Sequence, residues 1–332
     1  MPSQPLKVSV IMPVYNAVEY IKQSLPPLIA MMNDEQICEV IVVDDTSSDE
    51  TPDVARALGA NVMPSGGRLG PGGARNVAAK VAKGDILWFV DADVVVHSDA
   101  AEIMQSGFAE GEDVVAVFGS YDDRPPAQNF LSQYKNLVHH YYHQNAKADA
   151  STFWAGCGAV RKSEFLQQNG FDIETYKHPS IEDIELGYRL IRAGGRIKML
   201  VNMHCTHLKE WRLVNLLHTE IFRRAIPWSR LMLNASGMVN DLNVSNKERF
   251  RAVIGCIFLF SLLAFVLGMI SFPLIILISA VCIFINKEIM TVFFRRKGLL
   301  FALGGFLFHQ FYYTYSLASY AYAVFERMVV KK

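Results

Sequence analysis

Asp91 and Asp93 are separated by one alanine and follow directly on the apolar run Ile86–Val90. An extended backbone turns both side chains the same way, so two hard oxygen donors face one side and leave other coordination positions open. That arrangement suits Mg2+ or Mn2+ carried by phosphates. Asp44-Asp45 follows the run Val40–Val43, and Pro13-Val14-Tyr15-Asn16 closes the run Val8–Val14. Taken singly, an aspartate after a strand commonly opens a turn or caps a helix. Three such groups at one sheet edge point instead to a site.

Between the second and third groups lies Ser65-Gly66-Gly67-Arg68-Leu69-Gly70-Pro71-Gly72-Gly73-Ala74-Arg75-Asn76. No Gly-Lys-Ser/Thr ends it and no G-x-G-x-x-G spacing fits, so it is neither a P-loop nor a dinucleotide fingerprint. It reads either as a flexible surface loop or as a lid whose Arg68 or Arg75 meets a diphosphate. Further on, Ser180-Ile181-Glu182-Asp183 fits a helix capping box with Asp in the last place. His139, His140 and His143 have helical spacing, but no fourth ligand or acidic second shell accompanies them.

The elements that must hold these groups alternate. Strand-like runs at Val8–Val14, Val40–Val43, Ile86–Val90 and Val114–Phe118 are separated by helical stretches at Ala17–Met32, Asp49–Leu58 and Gly73–Ala82. Strand–helix alternation predicts an α/β domain with a mainly parallel sheet. Ligands of such sheets bind beyond the carboxyl ends of the strands, where the acidic groups lie.

The chain has 332 residues, 51% of them hydrophobic and only 19% charged, with a mean hydropathy of +0.19. Those values exclude a disordered or collagen-like chain and place part of it in lipid. The 32 basic and 32 acidic residues balance, which excludes a globally basic nucleic-acid binder, and no nucleic-acid partner is expected. The balance hides an asymmetry: residues 252–332 hold seven basic and two acidic residues, and residues 1–251 hold 25 and 30. The split suits an acidic head on a basic-flanked anchor. Five cysteines without C-x-x-C spacing read as reduced, with the head in the cytosol.

Ala252–Ile285 carries no charge over 34 residues and contains Gly268 and Pro273. Lys247, Arg249 and Arg251 flank one end, and Lys287, Arg295, Arg296 and Lys297 the other. With both flanks on the positive-inside face, the segment turns back as a helical hairpin; the alternative is one long helix kinked at the proline. Leu299–Phe325 is a second apolar stretch, and its five tyrosines, from Tyr312 to Tyr322, favour the membrane–water boundary. If it spans, Arg327, Lys331 and Lys332 face outward against the tendency, so an interfacial or re-entrant helix stays open. Trp211, Arg212, His218, Arg223, Arg224, Trp228 and Arg230 mix basic and aromatic groups, as a helix at the bilayer surface does.

The segments "VSVIMPVYN", "VIVVDDTSSDET", "GGARN" and "GDILWFVDADV" resemble, in order and spacing, the successive motifs of glycosyltransferase family two, the inverting enzymes with the GT-A fold. The resemblance runs from Val8 to Met199. It implies a GT-A (Rossmann-like nucleotide-diphospho-sugar transferase) domain followed by C-terminal transmembrane helices. It also implies a nucleotide-sugar donor, UDP-linked by preference with GDP open, and a pocket from Pro13, Tyr15 and Asp45. Arg75 and Asp91 would then lie beside the donor, and Asp91 and Asp93 would hold Mg2+ or Mn2+. "GCGAVRKSEFLQQNGFD" resembles the acceptor-side segment and "IEDIELGYRLIRAGG" the Glu-Asp motif, making Asp183 the general base with Glu182 in support. A late histidine completes the metal or diphosphate shell in some relatives, so His207 is a third metal candidate beside a structural reading.

The processive relatives carry Gln-x-x-Arg-Trp; here the corresponding stretch is Arg223-Arg224-Ala225-Ile226-Pro227-Trp228. The expectation is therefore transfer of one sugar to a lipid or polyprenyl-phosphate acceptor, by a multi-pass protein of the cell membrane with its catalytic domain in the cytoplasm. A cell-envelope acceptor that is not a lipid is the alternative. A nucleotidyltransferase would need a basic phosphate-gripping motif near the first strand, which lacks Lys and Arg; a non-catalytic scaffold would have no need of intact Asp45, Asp91, Asp93 and Asp183. The predicted organisation is a transferase domain over 1–205, juxtamembrane helices over 206–251 and an anchor over 252–332, with the hairpin at 252–285 and a third helix at 299–325.

Overall fold

Val8–Val14 is buried along its whole length, as an apolar run covered on both faces must be, and forms β1. The computed structural model describes residues 6–234 and 241–330; Lys331 and Lys332, which entered the topology argument, lie outside the described residues. The chain divides into two units, Met1–Ala127 with Ala146–Glu210, and Gln128–Asn145 with Trp211–Lys332. The predicted boundary at 205 thus falls close to one junction and misses the other. A 15-residue helix between two strands of the first unit packs its apolar face into the second, a choice local pattern does not reveal.

In the first unit β1 is followed by α1 (Val18–Asn33), β2 (Glu39–Asp44), α2 (Thr51–Ala57), β3 (Asn61–Pro64), α3 (Gly70–Val81), β4 (Ile86–Val90), β5 (Val94–Val96), α4 (Ala100–Phe108) and β6 (Val114–Tyr121). After α5 (Phe130–Gln144), which belongs to the second unit, come β7 (Asp149–Ala150), β8 (Cys157–Arg161), α6 (Lys162–Gln167), α7 (Glu182–Arg192) and β9 (Arg196–His207). The strands form one sheet in the order β3-β2-β1-β4-β8-β6-β9-β5, with β7 paired to β9. The sheet is mixed, not mainly parallel. β1, β2, β3 and β4 run parallel, but β8 enters antiparallel between β4 and β6, and β5 and β7 run antiparallel to β9. Strand direction is decided by these long-range pairings, and the local apolar pattern of β8 is the same either way.

Two apolar layers cover the sheet. α1 and α4 bury Leu25, Leu28 and Met104 against one face; Ala74, Ala78, Phe165 and Leu186 cover the other. Pro13 sits inside β1 without breaking the sheet, because pairing with β4 ends at Ile11–Phe89. The missing donor falls where that side of the strand is no longer laddered.

The second unit is helical. α5 is joined by α8 (Leu213–His218), a π-helical turn (Thr219–Ala225), α9 (Ile226–Asn234), a short 3-10 turn (Leu242–Val244), α10 (Asn246–Val266), α11 (Phe272–Ile285) and α12 (Lys287–Val330), the last interrupted at Gly298 with φ +82°. The uncharged segment does turn back, between Leu267 and Ser271, so it is not one kinked helix. Among the described residues only α10 is long and apolar enough to cross a membrane alone; α11 with 287–329 qualifies only as a pair bent by 76°.

Three expectations for this unit change. Tyr312, Tyr313 and Tyr315 are buried in the helix core rather than placed at a boundary, because Glu248 accepts from Tyr313 Oη at 2.6 Å and Asn243 donates to Tyr312 Oη at 2.9 Å. Arg251 is buried, not a flanking surface charge, and pairs with Glu248 at 2.6 Å and Glu288 at 3.0 Å. Of the arginines expected at the bilayer surface, Arg230 grips Glu326 through two bonds of 2.7 and 2.8 Å. Arg224 lies 3.6 Å from Glu220, which Lys135 also holds at 2.7 Å. Both guanidinium groups are engaged by carboxylates of the protein itself.

Candidate active site

The carboxyl ends of β1 and β2 lie side by side, with Val14 opposite Asp44 and the Asp45 amide donating to Val14 O at 2.8 Å. Both chains leave their strands through left-handed residues, Asn16 at φ +49° and Thr46 at φ +67°. A β-branched residue there is strained and must be held by its surroundings. Here the Asn16 side chain accepts from the Ser48 amide at 2.8 Å, its own amide donates to Ser47 Oγ at 3.0 Å, and the Ala17 amide donates to Thr51 Oγ1 at 2.8 Å. The two loops are cross-braced, which keeps the exposed Tyr15 ring in place. Arg68 lies over that ring, 4.2 Å from its centroid.

Asp45 departs from its expected role. Its carboxylate is buried, and the two oxygens accept the amides of Leu69 and Gly70, each at 2.8 Å. A carboxylate at a helix N-terminus satisfies orphan donors and complements the dipole. Asp45 therefore fastens the start of α3 to the end of β2. Pro13 is likewise buried within β1, so of the three expected pocket residues only Tyr15 is exposed.

The glycine-rich segment is also corrected. It is not a lid as far as Asn76, because α3 begins at Gly70. Arg75 is 4% exposed and its guanidinium is directed at Asp91 Oδ1. It lies 5.9 and 5.6 Å from the ring centroids of Phe89 and Phe171. The Asn76 side chain binds the backbone of Phe171 twice, accepting its amide and donating to its carbonyl at 2.8 Å each. The Arg-Asn pair is thus a bolt between α3, the end of β4 and the segment before α7. Arg68 alone is left on the exposed strap.

Asp91 keeps 37% of its side chain open despite that pair. Partial burial pushes its carboxyl above the ordinary range, Arg75 opposes, and the charges of Asp93 and Asp183 push it further up. For Asp93 burial also acts upward, but the His207 imidazole, 3.5 Å away, outweighs it and the carboxyl lies below the ordinary range. His207 stacks on Tyr121 at 4.4 Å, and Tyr121 meets Trp154 edge-on at 4.8 Å. These two aromatic residues orient His207 and were missed in the sequence; the only signal was an aromatic residue just before the Gly-Cys-Gly segment.

Asp183 is in the first turn of α7, but not as a capping-box partner. Glu182 takes that place, accepting the Ser180 amide at 2.7 Å. Asp183 Oδ1 accepts the Ile184 amide at 2.8 Å and Oδ2 the Ala155 amide at 3.0 Å. The Asp91 amide donates to the carbonyl of Gly156, one residue on, at 3.1 Å. A single stretch, 155–156, therefore holds the Asp183 carboxylate and the backbone of Asp91. α7 reaches it because Gly187 has no side chain: a Cβ there would lie 2.4 Å from the Phe153 amide nitrogen. Glu182 is buried, and desolvation together with the charge of Asp183 pushes its carboxyl up to about 7.

Two hard carboxylates and one imidazole suit a divalent cation, and three mutually repelling carboxylates opposed by one arginine suit an added positive charge. Among the described residues no three His, Cys, Asp or Glu side chains are placed to hold a metal ion together. The donor set therefore fits an ion whose other positions are filled by phosphates and water.

The mixed sheet is of the GT-A type seen in known glycosyltransferases, and the paired carboxylates lie at its ligand edge. Residues 9–170 match the family model described as Glycosyl transferase family 2. It is 34% identical over 104 residues to a poly(ribitol-phosphate) beta-glucosyltransferase of Bacillus spizizenii, covering 29% of this chain and 16% of that protein. The chain thus spans about one sixth of the length of the first curated relatives it matches. The mannosyltransferase PcManGT of Pyrobaculum calidifontis, solved with GDP-Man and Mn2+, superposes with a TM-score of 0.54 over 98% of this chain and 89% of that one, at 17% identity. Staphylococcus aureus TarS 1-349 with UDP-GlcNAc superposes with a TM-score of 0.51 over 70% and 68%, at 20% identity. At these identities the likeness is one of fold.

Proposed function

We propose that the chain is an inverting, membrane-attached glycosyltransferase that moves one sugar from a nucleoside-diphosphate sugar to a lipid-linked acceptor. The observation that carries the reading is the shared anchorage of Asp91 and Asp183 on residues 155–156. It supports a donor-side and an acceptor-side carboxylate held in fixed relation. Towards an acceptor hydroxyl, Asp183 takes the proton as that oxygen attacks the anomeric carbon and the bond to the diphosphate oxygen breaks; towards a phosphate acceptor, already ionised, it positions the attacking oxygen. Its two backbone donors aim the carboxylate and keep it from rotating away. Tyr15 offers an exposed ring to a nucleobase, and Arg68 a charge near it. A divalent ion held by Asp91 and Asp93, with His207 beside them, would neutralise charge on the leaving diphosphate. The solved neighbours, one bound to GDP-Man and Mn2+ and the other to UDP-GlcNAc, support UDP- or GDP-linked donors and Mn2+, with Mg2+ equally suited to the donor set.

Membrane attachment rests on the apolar hairpin of the second unit; tethering in one chain raises the local concentration of a lipid acceptor. The likeness to poly(ribitol-phosphate) transferases favours a second reading, a cell-envelope polymer as acceptor. The deciding experiment incubates full-length protein in membranes with UDP- and GDP-sugars, Mn2+ or Mg2+, and either polyprenyl phosphate or a polyol-phosphate polymer. Sugar transfer to the lipid, abolished by EDTA and restored by metal, is expected. Transfer to the polymer alone would replace the acceptor; full activity in excess EDTA would remove the ion.

A further inference from the structure

The uncharged part of α10, residues 252–266, is about 22 Å long at 1.5 Å per residue, and α11, with 14 residues, is about 21 Å. A bilayer's hydrocarbon core is about 30 Å thick; α11 is too short to cross it, and α10 matches that length only by drawing its charged start, Lys247 to Arg251, into the hydrocarbon. The two roots of the hairpin are tied together. Arg251, at the foot of α10, donates from Nε to the carbonyl of Ile285, the last residue of α11, at 3.1 Å. It pairs with Glu288 just beyond, and Lys247 reaches the same carboxylate at 2.5 Å. Both roots, with their charges, therefore lie at one level.

The tip is made for hydrocarbon and not for water. Val266 is 80% and Met269 73% exposed, and Leu267, Ile270 and Phe272 share the turn, with Ser271 its one polar side chain. A turn emerging on the far side of a membrane would sit among headgroups. The backbone is equally prepared. Gly268, at φ +71°, donates to Phe265 O at 3.0 Å and Met269 to Ala264 O at 2.8 Å, the paired bonds that close a helix end. Ser271 O accepts from Leu274 and Ile275, and Pro273 has no amide to satisfy. Irregular backbone is tolerated in lipid only when its polar groups find such partners.

From these observations we infer that α10 and α11 form a re-entrant wedge that enters the bilayer from one face, buries its tip at residues 266–272 in hydrocarbon, and does not cross. The occupant of its exposed outer face is lipid. The inference rests on the membrane-attached reading above and replaces a multi-pass anchor by a one-sided one.

The test uses the full-length protein in inside-out and right-side-out vesicles, in a background of Cys38→Ser and Cys256→Ala. Single cysteines are introduced as Asn246→Cys at a root, Thr291→Cys beyond the other root and Met269→Cys at the tip, and a membrane-impermeant maleimide is applied. Labelling of 246 and 291 from one and the same side is expected, with loss of labelling at 269 from both sides and its recovery in detergent. Labelling of 269 from the side opposite to the roots means a spanning hairpin and overturns the inference. No labelling of 269 in detergent means that protein, or a second copy, covers the tip, and overturns it too. Recovery of the chain in the soluble fraction refutes the membrane-attached reading itself. As a second variant, Met269→Asp with Ile270→Asp should release the protein from membranes while its thermal shift with UDP and Mn2+ is retained; retention in the membrane counts against a buried tip.

Discussion

Arg75 and Asp91 form an ion pair in which the arginine is 4% and the aspartate 37% exposed. The guanidinium comes from helix α3, the carboxylate from the end of β4, and both belong to motifs that a sequence reader assigns separately to the donor. The pair makes them one device: Arg75 aims Asp91 and tempers its charge without itself facing outward.

Arg75→Met should therefore act through Asp91. Removing one partner of a fully buried pair costs about 3–5 kcal/mol, and the exposure of Asp91 reduces this to about 1–3 kcal/mol. Donor KM should rise and turnover fall, while Asp91→Asn in the same background adds little destabilisation of its own. Independent, additive losses of stability in the double variant would show that the two residues do not act as a pair.

Asp183→Asn is expected to lower turnover by about 10²–10⁴-fold, the usual worth of a general base. An amide has one acceptor oxygen, so the Ile184 or the Ala155 amide loses its partner. Stability should fall by about 1–2 kcal/mol. UDP binding by thermal shift should persist. Turnover within a few-fold of the parent enzyme would leave Asp183 a purely structural residue.

Gly187→Ala tests the helix that carries the base. In an open helix this change would stabilise by about 1 kcal/mol. Here a Cβ meets the Phe153 backbone nitrogen at 2.4 Å, so α7 must move off residues 153–155 and take Asp183 with it. The expected signature is a fall in kcat with donor affinity retained. Full activity with raised melting temperature would mean that the contact is looser than described.

Glu182, with its carboxyl raised to about 7, holds its proton in the folded protein while the unfolded chain has lost it. Between about pH 4.5 and 7 the native state binds more protons, so stability falls as pH rises through that window. Glu182→Gln keeps an acceptor for the Ser180 amide and removes the titration. Its melting temperature should match the parent's near pH 4 and exceed it at pH 8, by no more than about 3 kcal/mol in stability. Equal pH slopes for the two proteins would refute a buried, proton-holding Glu182.

Much of this molecule was legible in one dimension. β1 and β4 are continuous apolar runs because they are buried on both faces, and the aspartates that follow β2 and β4 fall at the ligand edge by chain geometry alone. The spacing of Asp91 and Asp93, the turn at Gly268 and Pro273, and the family motifs needed no tertiary information. What the sequence could not decide is which partner each charge would find. Asp45 and Arg75 carry side chains suited to a nucleotide, yet folding brings the α3 N-terminus to one and Asp91 to the other. Arg230 read as a charge at the bilayer surface and Arg251 as a charge flanking the apolar segment, yet they pair with Glu326 at 2.7 Å and Glu248 at 2.6 Å. The physical reason is common to the three buried ones, Asp45, Arg75 and Arg251. Burial of a charge is tolerated only with a partner at hydrogen-bonding distance, and except for Glu248 that partner lies 16 or more residues away in sequence. Local spacing therefore reports which elements form and where their ends lie, whereas the packing of distant elements decides which of their polar groups face a ligand.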